Sequence, residues 1–531
     1  MENGRHRHGP TITGVNALYL VTMVLLVTLG IAVQRWSVAW GLVITELTVI
    51  LLPVLVFLRI KRLDLRATLC LRWPGWDLVA LSLLIGAGVW FLDVILEGLA
   101  AQLLNYPPGT TPETYAMTPL DALGMALGMI LLAPLCEEVL FRALIQRGYE
   151  RLGARRAVLI GGTLFALFHL RFQGLLALLP IALVLGYAFW RSQSLIVPIL
   201  IHLSNNALGA TTLIVRGLDP TFDFSSILLF GAGPAIIVGG LALWRFHRTT
   251  RDVVRSRPLS TVAGTAWRWV FLSIAVAIYL GVAGLELTYA RFPGILAQDE
   301  LAWGTAPWRE AAEWRYELRL KATDERVGEA LCEVAPSGAE VLLRCAIEQA
   351  AFEVEQEGSR WIGSDLNQTT TARWSAETLA LRAAEVEVET AEGTYVAEVA
   401  RADGALVLTT DAGDAEILPD DVLLIGGRLA ALAGEAPWRL SALPFEVGLV
   451  SRATVVEPWR WQPALDRAAP VQREILVRVT GVEPLRLVAG VQIAWRVELG
   501  ADRTAWYADG PPYPLVRYDS TVLRWVSVDR P

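Results

Sequence analysis

Apolar residues fill most of the first 290 positions and gather into runs of the ~20-residue length that spans a bilayer. Nine runs are read, over residues 12–34, 38–58, 77–104, 118–141, 157–172, 174–190, 194–215, 226–246 and 268–290. From about Pro293 the texture changes, and no further run of that length occurs. Apolar and polar positions now alternate with period two, as in Trp314-Arg-Tyr-Glu-Leu-Arg-Leu320, Glu385-Val-Glu-Val-Glu389 and Glu474-Ile-Leu-Val-Arg-Val479. That period belongs to half-buried strands. Turn-forming pieces such as Pro336-Ser-Gly338, Ala391-Glu-Gly393 and Asp509-Gly-Pro-Pro512 separate them. The predicted architecture is an α-helical polytopic membrane bundle followed by a β-rich soluble domain, built as one large antiparallel unit or two small ones. Its parts are a tail over 1–11, a helical domain over 12–246, a basic loop over 247–267, a ninth span over 268–290 and the β-rich region over 291–531.

Orientation is read from where Lys and Arg fall between spans. Arg59, Lys61, Arg62, Arg66 and Arg72 follow the second span, and Arg147, Arg151, Arg155 and Arg156 the fourth. Arg191 follows the sixth, and Arg245, Arg248, Arg251, Arg255 and Arg257 the eighth. All these loops lie on one side, expected to be cytoplasmic. The tail with Arg5 and Arg7 joins them. An odd number of crossings then puts the β-rich region outside the cytoplasm. The fifth and sixth spans decide the parity, because only Arg171-Phe-Gln-Gly174 separates them. The first run is read as a retained helix, since it is long and lacks a clear small-residue cleavage site.

Composition narrows function by exclusion. The net charge of −7 gives no basis for a nucleic-acid partner. Four cysteines in 531 residues do not make a disulfide scaffold. Cys332 and Cys345, however, flank the turn at Pro336-Ser-Gly338, so a hairpin centred there sets them nearly opposite each other. Outside the cytoplasm such a pair is expected to form a disulfide.

The chemistry lies where ionisable groups interrupt the apolar runs. Three segments stand out: Leu135-Cys-Glu-Glu-Val-Leu-Phe-Arg142, Phe165-Ala-Leu-Phe-His169 and His202-Leu-Ser-Asn-Asn206. Ionisable side chains within spans are costly and usually functional. Of the five histidines, two are here; His6, His8 and His247 are not, and the β-rich region has none. Glu138 and Arg142 are four apart and share a helix face, where they are expected to pair. Glu137 is rotated about 100° away and is free to face a cavity. Counting inward from Arg151, Arg156 and Arg191 at ~1.5 Å per residue puts Glu137, His169 and His202 roughly 21, 20 and 17 Å deep. Three helices therefore bring polar groups to one level near the midplane. Glutamate, histidine and amide gathered there point to activation of water and stabilisation of an oxyanion, hence to hydrolysis.

Glu-Glu-x-x-x-Arg, Phe-x-x-x-His and His-x-x-x-Asn, in this order on successive spans, resemble the CAAX-protease and bacteriocin-processing family of intramembrane proteases. The resemblance covers roughly residues 77–240. It implies an eight-helix core around a water-filled cavity, to which the ninth span and β-rich region are additions. It implies that Glu137 and His169 activate water, that His202 and Asn206 hold the oxyanion, and that Glu138, Arg142 and Phe165 support them. It implies a multi-pass protein whose partners are the bilayer and a peptide or membrane-protein substrate. No cofactor is expected. The alternatives are a zinc enzyme with Glu137, Glu138, His169 and His202 as ligands, and a non-catalytic membrane anchor or immunity protein that displays the β-rich region.

Overall fold

The computed structural model describes residues 9–104, 117–222, 224–253, 267–356, 358–425, 434–462, 467–487 and 489–528. Tail residues Arg5, Arg7, His6 and His8, and Arg255 and Arg257 of the basic loop, lie outside the described residues. The chain divides into two compact units, a helical one ending at Arg291 and a β one beginning at Phe292.

Among the described residues, eight helices of the first unit are long and apolar enough to cross a membrane, and the chain is a multi-pass membrane protein. They are α1 (Ile12–Trp36), α2 (Val38–Ile60), α3 (Trp76–Leu104), α4 (Pro119–Leu152), α6 (Leu175–Ser192), α7 (Ile196–Leu218), α8 (Ser225–Thr249) and α9 (Trp267–Arg291). Between α4 and α6 lies α5 (Ala154–Phe168), with only 15 residues. At ~1.5 Å per residue it is roughly 22 Å long, short of the ~30 Å hydrocarbon core. The run expected over 157–172 is therefore a shorter helix placed earlier. His169 caps it and Leu170 adopts a left-handed φ of 54°, which ends the helical path. Phe172 and Gln173 then donate their backbone N–H groups to the Glu286 carboxylate of α9 at 2.6 and 3.2 Å. An anion at these free N–H groups, just before α6 starts, suits the positive end of that helix. The ninth helix is thus part of the bundle, and Asn16 of α1 also donates to the Arg268 carbonyl at 2.9 Å.

Burial is arranged as lipid requires. Leu140, Phe141, Leu144 and Ile145 of α4 pack with Leu185 of α6 and Val197 and Ile201 of α7 in one core. Leu229, Phe230, Ile237, Leu241, Leu280 and Leu285 of α8 and α9 face outward. Two arginines counted as loop cations are packed inside the protein instead. Arg147 donates to the Ala67 carbonyl and to Cys70 Sγ, and Arg191 to the His247 carbonyl and Thr250. Backbone carbonyls near helix ends are free acceptors, and a guanidinium fork satisfies several at once.

The second unit is built on a single 15-stranded sheet. The central strands are β1 (Ala312–Leu320), β2 (Arg326–Ser337), β3 (Glu340–Gln349), β6 (Leu366–Ser375) and β17 (Leu523–Ser527). Across the sheet the strand order is β10 (Ala415–Leu418), β9 (Ala405–Thr410), β8 (Gly393–Ala402), β7 (Leu381–Thr390), β6, β3, β2, β1, β17, β16 (Leu515–Asp519), β15 (Arg503–Ala508), β14 (Gly490–Leu499), β13 (Arg467–Leu487), β12 (Val450–Gln462) and β11 (Leu423–Leu424), while β4 (Phe352–Gln356) and β5 (Ser359–Gly363) pair separately. Pairing is antiparallel throughout except between β11 and β12. First and last strands lie side by side, so two meanders meet at the centre. One face of β1 buries Trp314, Tyr316, Leu318 and Leu320, the alternation that period two predicts. The β2–β3 turn at Gly338 sets Cys332 opposite Cys345, and the structure joins them in a disulfide.

Candidate active site

Helix α4 carries the two glutamates. Thr118 and Asp121 start it with a capping box, each side chain accepting from the other's backbone N–H. Within α4, the α-helical segment Ala133–Glu138 lies between π-helical stretches Ala126–Leu132 and Val139–Gln146. Pro134 lies in the first turn of that segment and has no N–H to donate, so the regular ladder is interrupted here. Such π insertions recur at functional sites because they re-aim side chains.

From this segment an ionic chain crosses to α7. Arg142 Nε lies 3.0 Å from Glu138 Oε2. Glu138 Oε1 accepts from His202 Nδ1 at 2.9 Å. His202 Nε2 faces Glu137 Oε2 at 3.9 Å. All four side chains are buried, Glu138 completely. Arg142 also donates to the Ala182 carbonyl at 3.2 Å and stacks over the Phe165 ring, 4.5 Å from its centroid. A carboxylate can only accept, so His202 Nδ1 carries a proton and Nε2 is left to face Glu137.

His169 joins the site through Phe165. Its Nδ1 lies 3.0 Å from the Phe165 carbonyl. A carbonyl only accepts, which puts the proton on Nδ1 and leaves Nε2 as the basic nitrogen of the neutral ring. The Phe165 ring stands between the imidazoles, 4.9 Å from His169 and 5.7 Å from His202. Asn206, one turn beyond His202, donates one N–H to the Met129 carbonyl at 2.9 Å. Its amide has a second N–H. Close helix approach fixes α7: a Cβ on Gly86 of α3 would lie 2.2 Å from the Ile201 carbonyl, beside His202.

Residues that the motifs do not contain also reach this region. Glu46 of α2 is buried, with Oε2 lacking a hydrogen-bond partner, in a stretch that packs against the Ala133–Glu138 segment. Asp93 of α3 accepts from Asn205, the neighbour of Asn206, at 2.9 Å. Glu46 is a lone carboxylate in its apolar run and Asp93 shares its run with Glu97, the signal by which sequence reading could have found them.

Two members of the zinc alternative, Glu138 and His169, are held by protein groups. Glu138 has one oxygen on Arg142 and the other on His202, and His169 Nδ1 is on the Phe165 carbonyl. Among the described residues no three His, Cys, Asp or Glu side chains are gathered as a metal ion would need. Cys136 is buried beside the glutamates and packs in the core cluster.

The family described as type II CAAX prenyl endopeptidase, Rce1-like, has a model that matches residues 119–208. That interval starts with α4 and ends just past Asn206, so it holds every residue of the ionic chain. Over that interval the chain is similar to CAAX endopeptidases of the Rce1-like type. The match is narrower than the expected 77–240. A protein of Bacillus subtilis (strain 168) named Putative membrane peptidase YdiL is 25% identical over 173 residues, which cover 32% of this chain and 68% of that protein. No solved structure matches the chain.

Proposed function

We propose that this Rce1-like domain is a glutamate-dependent peptidase that hydrolyses a peptide bond within or beside the bilayer. The observation that carries the reading is the buried chain Arg142–Glu138–His202–Glu137. A scaffold has no use for four charged or titratable groups in a helical core, where each is costly. Glu137 takes a proton from water, with the basic nitrogen of His169 turned to the same task. The water oxygen attacks the carbonyl carbon. His202 Nε2–H and the second N–H of Asn206 receive the oxyanion. For this His202 carries both protons, and Glu138 and Glu137 balance its charge. On collapse the C–N bond breaks, and the proton held by Glu137 goes to the leaving amine. Glu138 and Arg142 hold His202 in register.

The mechanism needs no metal. The test is membrane proteomes from cells making the wild type or Glu137→Gln, together with metal content of the purified full chain. We expect fragments that appear only with the wild type, activity that survives chelation, and less than stoichiometric zinc. One equivalent of zinc, with activity lost on chelation and restored by metal, overturns the metal-free reading.

We also propose the orientation given by the loop cations, with the N-terminus cytoplasmic and the β unit outside. It requires that α5 and the turn after it together complete a ninth crossing, which is supported by that turn meeting Glu97 and Glu286, toward the C-terminal ends of α3 and α9. The Cys332–Cys345 disulfide supports it, because such bonds persist in oxidising compartments. In intact cells making a variant with Cys70→Ser and Cys136→Ala, a membrane-impermeant thiol reagent is expected to label the chain only after reduction. Labelling restricted to a permeant reagent overturns the orientation.

A further inference from the structure

A cavity of about 220 Å³ opens beside Asn206, on the α3 side of the site. Helix α3 lines it with Trp90, Asp93 and Glu97, α7 with Asn205 and Asn206, and the turn after α5 with Arg171. Its charges are not balanced. Arg171 Nη2 lies 2.5 Å from Glu97 Oε1, and this half-exposed pair is neutral as a unit. Asp93 has only an amide: Oδ2 accepts from Asn205 Nδ2 at 2.9 Å. Its other oxygen, Oδ1, is buried and has no hydrogen-bond partner. Among the described residues no cation pairs with Asp93. A carboxylate left so within an apolar helix is costly to keep, and its natural complement is a positive charge.

The helix repeat ties this cavity to the chemistry. Asn205 and Asn206 are successive residues, about 100° apart around α7. The first turns to Asp93 and the second to the Met129 carbonyl, on the same helix face as His202. A peptide whose carbonyl oxygen reaches Asn206 therefore lays a neighbouring side chain toward Asp93. Trp90, Met129 and Leu178 supply apolar wall to that path, which suits a methylene stem rather than a compact polar group.

We propose that this cavity is a substrate subsite for a cationic side chain, lysine or arginine, flanking the scissile bond. Its stem lies along Trp90 and its charge meets Asp93 Oδ1, which makes Asp93 a specificity-determining residue. The proposal rests on the peptidase reading for its substrate class.

The test is binding, which needs no turnover. The full chain carrying Glu137→Gln is placed in phosphatidylcholine nanodiscs. The probes are fluorescent apolar peptides with a single lysine moved along the sequence, each compared with norleucine at the same position. At one position lysine is expected to bind about 10-fold tighter or more, as a charge-assisted contact provides. Adding Asp93→Asn should bring that ratio within about twofold, and Asp93→Glu should keep it. A ratio near one at every position overturns the proposal without any variant at Asp93. So does a preference that survives Asp93→Asn in a chain that still melts cooperatively. A lysine preference in protein whose cleavage does not depend on Glu137 leaves the subsite standing and removes the catalytic reading.

Discussion

Replacing Glu137 by glutamine is expected to lower kcat/KM for peptide hydrolysis by about 10²–10⁴-fold while leaving the protein inserted and folded. Glutamine has the same shape but cannot take a proton from water. The structural cost is small, because among the described residues the one ion pair of Glu137 is the 3.9 Å contact with His202. His169→Ala and His202→Ala should fall in the same range. Asn206→Ala, which removes one oxyanion donor of the proposed mechanism, should cost about 10²–10³-fold, mainly in kcat. His202→Ala should differ from His169→Ala in one respect. It also leaves Glu138 Oε1 without the 2.9 Å contact it accepts, so stability should fall along with rate. Single-turnover cleavage in proteoliposomes, with melting of each variant alongside, separates the two effects. Near-wild-type cleavage by Glu137→Gln would remove the proposed mechanism.

The second large effect concerns folding. Glu138→Gln should destabilise the helical unit by about 3–5 kcal/mol, the cost of breaking a fully buried ion pair from one side. Glu138 is completely buried and faces both Arg142 and His202, so its loss leaves a guanidinium without its counter-charge. Arg142 keeps the Ala182 carbonyl and the Phe165 and Phe141 rings as partners, none of which carries a negative charge. Adding Arg142→Met should recover part of the loss, because an apolar side chain of similar length carries no charge to strand. Unfolding in mixed micelles measures both variants. A Glu138→Gln protein that is as stable as wild type yet inactive would reassign the base from Glu137 to Glu138.

The helices were legible in the sequence because lipid leaves the backbone no partner outside its own segment, so apolar length alone specifies a span. Eight of the nine predicted runs became helices that meet the length for crossing. The α5 boundary was not legible, since Leu170 and Phe172 are as apolar as the helix before them. The turn there is made by a left-handed Leu170 and by Glu286, which comes from α9 more than 100 residues away. Alternation in the last 240 residues announced strands but not how they order. That order depends on contacts such as β1 with β17, which are far apart in the chain and carry no local signal.

The site divides the same way. Spacing by itself put Glu138 and Arg142 on one face and set the glutamates and histidines at one depth, because helix rise and repeat are fixed by backbone geometry. It also placed Cys332 opposite Cys345, since a tight hairpin determines its own register. Only the tertiary structure decided that Glu138, rather than Glu137, takes His202 Nδ1, and that Phe165 stands between the two imidazoles. Only packing brought the Glu46 stretch of α2 against the helix segment of Glu137, and Asp93 onto Asn205. Local rules specify the face and level of a polar group along its own helix. Which group on another helix it meets depends on how helices approach, and here that rests on small residues such as Gly86 against the backbone of α7.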